Sequence, residues 1–277
     1  MTHLVVTGYA SLDHVLVLAG DIAKDRTTRV TRRDPAAWPR AGGCPTYVAQ
    51  AAVRAGQRAA PVVWIGDDAP GRALVAQYAS AGLDGAGVAT LKGGRSPISV
   101  LAYQPDGAVS CLYDPGFAGQ ERLSEAQAAL IAGASHLCLT VGPGHLVDAI
   151  LGSAPASARL YWAVKNDAQS FDDTARARLS QRADVIFCNH AEQELILGGT
   201  AVRVVTHGAA GAEVIGRTGS IRAPVPRRIT ASDATGAGDS FAGGYIAAEM
   251  TGITDPAAAL QAGMAAAAQL LMERQDQ

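Results

Sequence analysis

The chain has 277 residues, a mass of 28.3 kDa, 48% hydrophobic residues and a formal net charge of −2. That length buries one large core, or one core with a small appendage, and the near-balanced charge gives no electrostatic reason to expect nucleic acid or an anionic membrane as a partner. No uncharged apolar run reaches the length of a membrane span, since the Ala-rich stretch 256–271 is interrupted by Gln261 and Gly263.

Met1-Thr2-His3 passes directly into the strand-like run Leu4-Val5-Val6-Thr7 with no charged leader ahead of it, so no secretory signal is expected. Residues 14–40 are charged and irregular, with alternating pieces such as 28–32. Ala41-Gly42-Gly43-Cys44-Pro45 then marks a tight turn into a helix over 45–55. Further strands are predicted at 62–65, 136–139, 160–164, 185–187, 202–205 and 212–215, and helices at 71–81, 125–132, 144–151, 172–181, 191–197, 239–250 and 256–274. Residues 97–113 alternate like a hairpin around Pro105-Asp106-Gly107. Most of the strand runs are continuously apolar, which predicts strands covered on both faces. The expected fold is a three-layer α/β/α sandwich with a mainly parallel central sheet.

Cys44, Cys111, Cys138 and Cys188 are widely spaced and have no pairing motif or histidine cluster, so a reducing, cytoplasmic setting is expected. The only lysines are Lys24, Lys92 and Lys165, and none follows a glycine. Phosphate binding would therefore fall to backbone amides and arginine.

The sharpest chemical signal is Asp233-Ala234-Thr235-Gly236-Ala237-Gly238-Asp239, two glycines ahead of a carboxylate at the start of a helix. Helix N-termini carry unpaired N–H groups and partial positive charge, and glycines let backbone wrap an anion. Asp239 could take a proton from a hydroxyl while that nest holds a transferred phosphoryl group. A Gly-rich turn with an Asp cap is the bland alternative, and the heptapeptide alone leaves both open.

This heptapeptide resembles the C-terminal signature of the ribokinase-like (PfkB) family of sugar and nucleoside kinases. Gly8-Tyr9-Ala10-Ser11-Leu12-Asp13, Ala41-Gly42-Gly43-Cys44-Pro45, Asn189-His190-Ala191-Glu192 and Thr206-His207-Gly208 with Gly211 resemble the family's other segments, in the same order. The resemblance implies a single ribokinase-like kinase domain over 1–277, with a small β-sheet lid from segments of about 14–40 and 95–115. It implies an ATP- and Mg2+-dependent kinase acting on a hydroxyl of a sugar or ribosyl-containing small molecule. Asp239 would be the base, and the N–H groups of Gly236-Ala237-Gly238 and Asp239 the anion hole.

By the same resemblance Asp13, Gly42 and Gly43 would grip the acceptor; Arg95, placed before Ser96-Pro97 at the lid entry, could reach acceptor or phosphate. Asn189, Thr206, Gly208 and Gly211 would lie along the nucleotide, and Glu192 with Asn189 would order magnesium, mostly through water. Asp233 and Thr235 would shape a site for a monovalent cation such as K+. Tyr47, or Thr46 in a shifted register, stands where the family usually has asparagine. Its ring would stack on a base or sugar face, or pack its helix against the lid. A nucleoside kinase and a non-catalytic sugar- or nucleotide-binding relative are the alternatives. The lid's exposed edges suggest a homodimer formed through it.

Overall fold

The computed structural model describes residues 3–275 apart from positions 34, 168, 218 and 232. Its main sheet has nine strands. Seven are mutually parallel, in spatial order β12 (Val202–Thr206), β11 (Val185–Asn189), β10 (Arg159–Ala163), β9 (His136–Leu139), β1 (Leu4–Thr7), β5 (Ala59–Gly66) and β6 (Val88–Leu91). Beyond β12 the antiparallel strands β13 (Ala212–Gly216) and β14 (Gly219–Ala223) complete the sheet.

Alternate side chains of the parallel strands enter two separate cores. Val63 and Ile65 of β5 join Val6, Tyr161 and Phe187 on one face, while Val62 and Trp64 join Val5, Trp162 and Ile186 on the other. The first core is covered by α1 (Cys44–Arg54), α2 (Ala69–Ser80), α6 (Ala237–Met250) and α7 (Pro256–Glu273). The second is covered by α3 (Glu125–Ala132), α4 (Val147–Ser153) and α5 (Asp173–Arg182). Burial on both faces explains why these strands read as unbroken apolar runs, and the three-layer α/β/α architecture is the one expected.

A second sheet gathers the two segments that break the sequence rhythm. Its path is β3 (Val30–Arg33), β2 (Ser11–Leu18), β7 (Ile98–Tyr103) and β8 (Val109–Asp114), with β4 (Arg40–Gly42) also paired to β2. The register sets Asp13 between Arg40 on one side and Ser99 on the other. Asp13 is thus a strand residue, and β2 occupies the start of a region expected to be irregular.

Helix ends reveal a contrast that bears on the site. Helices α2, α3, α5 and α7 open on side-chain caps from Asp68, Ser124, Asp172 and Asp255. Helices α1 and α6 open instead on Gly43 and Gly236, with no side-chain cap. The stretch predicted as a helix over 191–197 is a tight 3-10 turn, Ala191–Leu195. Asn189 and Glu192 bond each other's backbone N–H across it, and Gly198 and Gly199, both at positive φ, end it.

Candidate active site

The parallel strands bring Thr7, Lys165, Asn189 and Thr206 to the carboxyl edge of the sheet, where open α/β sheets place ligands. Helices α1 and α6, the two that open on a glycine, start beside this edge and meet. Gly236, the residue before α6, has φ 78°, and a Cβ there would lie 2.4 Å from Cγ of Tyr47. The anion turn therefore rests directly on the Tyr47 ring, and only glycine permits both the conformation and the approach. A Cβ on Gly238 would meet nothing within 4 Å, so that side of the turn faces open space.

Asp239, in the first turn of α6, is only partly exposed. Burial holds its carboxyl above the usual aspartate range, opposed by the Lys165 charge and by the Cys44 thiol within hydrogen-bonding reach. Lys165 is itself held above the ordinary lysine value by Cys44, with further contributions from Asp239 and Glu192 that together outweigh burial. A raised carboxylate with a cation beside it, at the mouth of an uncapped helix, suits general-base chemistry next to an anion.

Asp13 is 2% exposed. The Ser11 hydroxyl donates to its Oδ1 at 2.7 Å and the Tyr47 hydroxyl to its Oδ2 at 2.8 Å, with the Ser99 side chain as a further partner. Burial raises its pKa despite these bonds. A Cβ on Gly42 would fall 2.0 Å from Oδ2, so Gly42 is the residue that admits the carboxylate. Tyr47 is 3% exposed, with its ring under Gly236. A ring so covered is not available to stack on a ligand. Its hydroxyl ties α1 to Asp13 of β2 and Arg40 of β4, as expected of a residue that packs its helix against the small sheet, while its ring also supports the Gly236 turn.

Asp233 and Thr235 do not present an open cation site. Arg40 Nη1 lies 2.6 Å from Asp233 Oδ2 and Arg274 Nη1 3.4 Å from Oδ1. Tyr103 of β7 donates to Oδ1 at 2.9 Å and shares a 2.6 Å hydrogen bond with the Thr235 hydroxyl. Burial alone would raise the Asp233 pKa, but Arg40 first and then Arg274 bring it below the ordinary value. Guanidinium groups thus already contact the oxygens of Asp233 and Thr235 that were expected to shape a monovalent-cation site.

Glu192 is 8% exposed, and its Oε2 accepts the Asn189 N–H at 2.9 Å. Thr206, Gly208 and Gly211 line a cavity of about 590 Å3 together with Ala237 and Gly238 of the anion turn. Val225, Ile229, Phe241, Met264 and Leu271 supply its apolar wall. Asn189 is exposed at the end of β11 and is not among the residues lining this cavity. Arg95 stands apart on the surface, paired with Asp114 at 3.4 Å. The structure thus brings Gly236, Ala237, Gly238 and Asp239 together with Tyr47, Asp13 and Gly42, and leaves Arg95 outside the cluster. Sequence reasoning missed Arg40, Arg274, Tyr103 and Ser99. None has a local motif, although Arg40 immediately precedes the Ala41-Gly42-Gly43 turn.

The fold and site define an α/β scaffold covered on both faces, with a glycine-led helix start that has no side-chain cap beside the carboxyl edge of the sheet. The pfkB family carbohydrate kinase model matches residues 1–277, and the chain belongs to that family. It is 31% identical over 209 residues to an ATP-dependent ribose-1-phosphate kinase of Halopiger xanaduensis; the match covers 68% of this chain and 66% of that protein, just under two thirds of its length. Arabidopsis thaliana ribokinase complexed with ribose and ATP shares the fold with a TM-score of 0.82 and 19% identity, over 98% of this chain and 93% of that one. The Burkholderia thailandensis nucleoside kinase in complex with inosine gives 0.79 and 19%, over 97% and 91%. Among the described residues no helix is long and apolar enough to cross a membrane.

Proposed function

We propose that the protein is an ATP-dependent kinase that transfers the γ-phosphoryl group to a hydroxyl of a sugar or ribosyl-containing small molecule. The observation that carries this reading is that Asp239 directly follows Ala237 and Gly238, which line the apolar cavity, and has the Lys165 charge and the Cys44 thiol acting on it. In that cavity the base and ribose of ATP would lie against Phe241, Met264 and Leu271, with its phosphates running toward Ala237 and Gly238. The acceptor would enter from the Asp13 and Gly42 side. Asp239 would take the hydroxyl proton as the oxygen attacks the γ-phosphorus in line and ADP leaves. The amides of Ala237, Gly238 and Asp239, with Lys165, would meet the charge on the transferred group.

Magnesium would arrive with the nucleotide. Among the described residues no group of three or more His, Cys, Asp or Glu side chains is placed to hold a metal directly. Glu192, with one carboxylate oxygen engaged by the Asn189 amide, fits a hydrated ion held through water. The five-stranded sheet would act as a lid that keeps water from the phosphoryl group, and residues 1–277 would form one kinase domain. Four free thiols support a reducing, cytoplasmic setting.

The named relatives, a ribose-1-phosphate kinase and ribose- or inosine-bound structures, support a ribosyl-containing acceptor. The covered Tyr47 ring gives a nucleobase no stacking partner there, which favours a sugar or sugar phosphate over a nucleoside. A panel of ribose, ribose 1-phosphate, other sugars and nucleosides, assayed for ATP consumption, tests the reading. Ribosyl compounds should stimulate turnover in the parent and not in Asp239→Asn. Equal consumption with and without every acceptor would sink it.

A further inference from the structure

We propose that Arg274 is a built-in cation that takes the place of a monovalent metal ion beneath the anion turn, so that this protein works without potassium. The inference rests on the kinase reading for its catalytic consequence and on geometry for its structural one. Arg274 Nη1 contacts the backbone oxygens of Asp233 (3.4 Å) and Thr235, and the Asp233 carboxylate at 3.4 Å. Two carbonyls two residues apart, turned inward beside a carboxylate, form the kind of all-oxygen set that holds a hard cation. One guanidinium nitrogen carries only two hydrogens, so three oxygens around it are drawn by its charge as well as by hydrogen bonds.

The guanidinium is fixed from every side. Its side chain is 7% exposed, and it lies over the Tyr47 ring at 5.6 Å. Arg274 directly follows α7, and the neighbouring Gln275 donates to Thr230 O at 2.5 Å, which ties the chain end to the segment leading into the turn. Arg40 holds the other Asp233 oxygen. One carboxylate thus faces two guanidinium groups, and a third cation would meet repulsion without a free oxygen to offset it. The oxygens that Arg274 gathers belong to Asp233 and Thr235, one to five residues before the amides of Gly236, Ala237 and Gly238. A fixed charge there sets the direction of those amides, which makes Arg274 a positioning residue.

The test compares the full chain in potassium chloride and choline chloride at matched ionic strength, by thermal melt and by turnover. The melt needs no substrate, so it stands even if the kinase reading fails. The parent is expected to melt at the same temperature in both salts and, where an acceptor is found, to turn over equally. Arg274→Ala should melt lower in choline and lose about a hundredfold in kcat through displacement of the turn, and potassium should recover part of both. Arg274→Lys keeps a cation on a flexible stem and should stay near the parent in melt, with no response to potassium. A parent whose melt or rate rises specifically with potassium overturns the proposal, as does an Arg274→Ala protein that behaves like the parent in choline. If Arg274→Ala does not fold in either salt, the parent and Arg274→Lys comparisons decide: a potassium response in either overturns it, and its absence in both upholds it.

Discussion

Asp239 combines two effects that a single substitution separates. Burial favours its protonated form in the folded chain. Above the folded pKa that preference costs stability; below about pH 4, the ordinary aspartate value, the carboxyl is protonated in both states and the cost disappears. Asp239→Asn should therefore melt higher than the parent near pH 7, with the difference shrinking as the pH falls toward 4. Its turnover should drop on the order of a thousandfold or more through loss of the base. Melts across pH beside steady-state rates check both, and turnover within tenfold of the parent would assign the proton to another group. Tyr47→Phe removes the hydroxyl that donates to Asp13 and accepts from Arg40 at 3.2 Å. Leaving that buried carboxylate a donor short should cost about 1–3 kcal/mol of stability. It should also raise the acceptor KM more than the ATP KM, because Asp13 loses a fixed partner. Denaturant titration and paired KM measurements read this, and equal changes in both KM values would argue against an acceptor role for Asp13.

At the scale of elements, the pairing of β2 with β4 and β7 places Asp13, the proposed acceptor residue, and the glycine-led starts of α1 and α6 place the proposed anion turn. Asp233 joins the two, because Arg40 of β4 and Tyr103 of β7 both reach it from the small sheet. A movement of the small sheet relative to α6 would alter these contacts. The turn at Asn189 and Glu192 carries a cleaner test. The Glu192 carboxylate caps the Asn189 amide, and a glutamine oxygen can accept the same bond. Glu192→Gln should then fold with a melting temperature close to the parent and need more magnesium for half-maximal rate, since a neutral amide no longer offsets a hydrated divalent ion. A magnesium titration run beside a melt decides the matter: an unchanged metal requirement with a lowered melt leaves Glu192 a cap alone.

For the whole molecule, the small sheet leaves apolar side chains in solvent. Leu112 is 64% exposed, and Val30, Val109 and Tyr113 are exposed beside strand edges that no described strand covers. Exposed edges and apolar side chains seek partners, so we expect a homodimer formed through this sheet. Small-angle scattering at micromolar concentration should give twice the 28.3 kDa chain mass, and Leu112→Lys should return it to one. A monomeric parent would refute the arrangement.

Much of this was legible in the chain itself. Strand positions and the layered fold followed from continuous apolar runs, because a strand buried on both faces has no polar side to alternate. Gly43 and Gly236 were readable because the left-handed φ that each adopts favours glycine whatever surrounds it. The partners of these motifs were not readable. Arg274 and Asp233 are 41 residues apart, and Tyr103 and Asp233 130. Neither pair has a local pattern, since a buried charge is matched by whatever the tertiary structure brings to it. The chain by itself therefore determined the fold class and the glycine-led start of α6. Only the tertiary structure decided that Tyr47 lies beneath Gly236 instead of against a ligand, and that arginines occupy the oxygens of Asp233 and Thr235. Those choices depend on how α1, α6 and α7 pack, a property of side-chain volumes meeting across the core and not of any one segment.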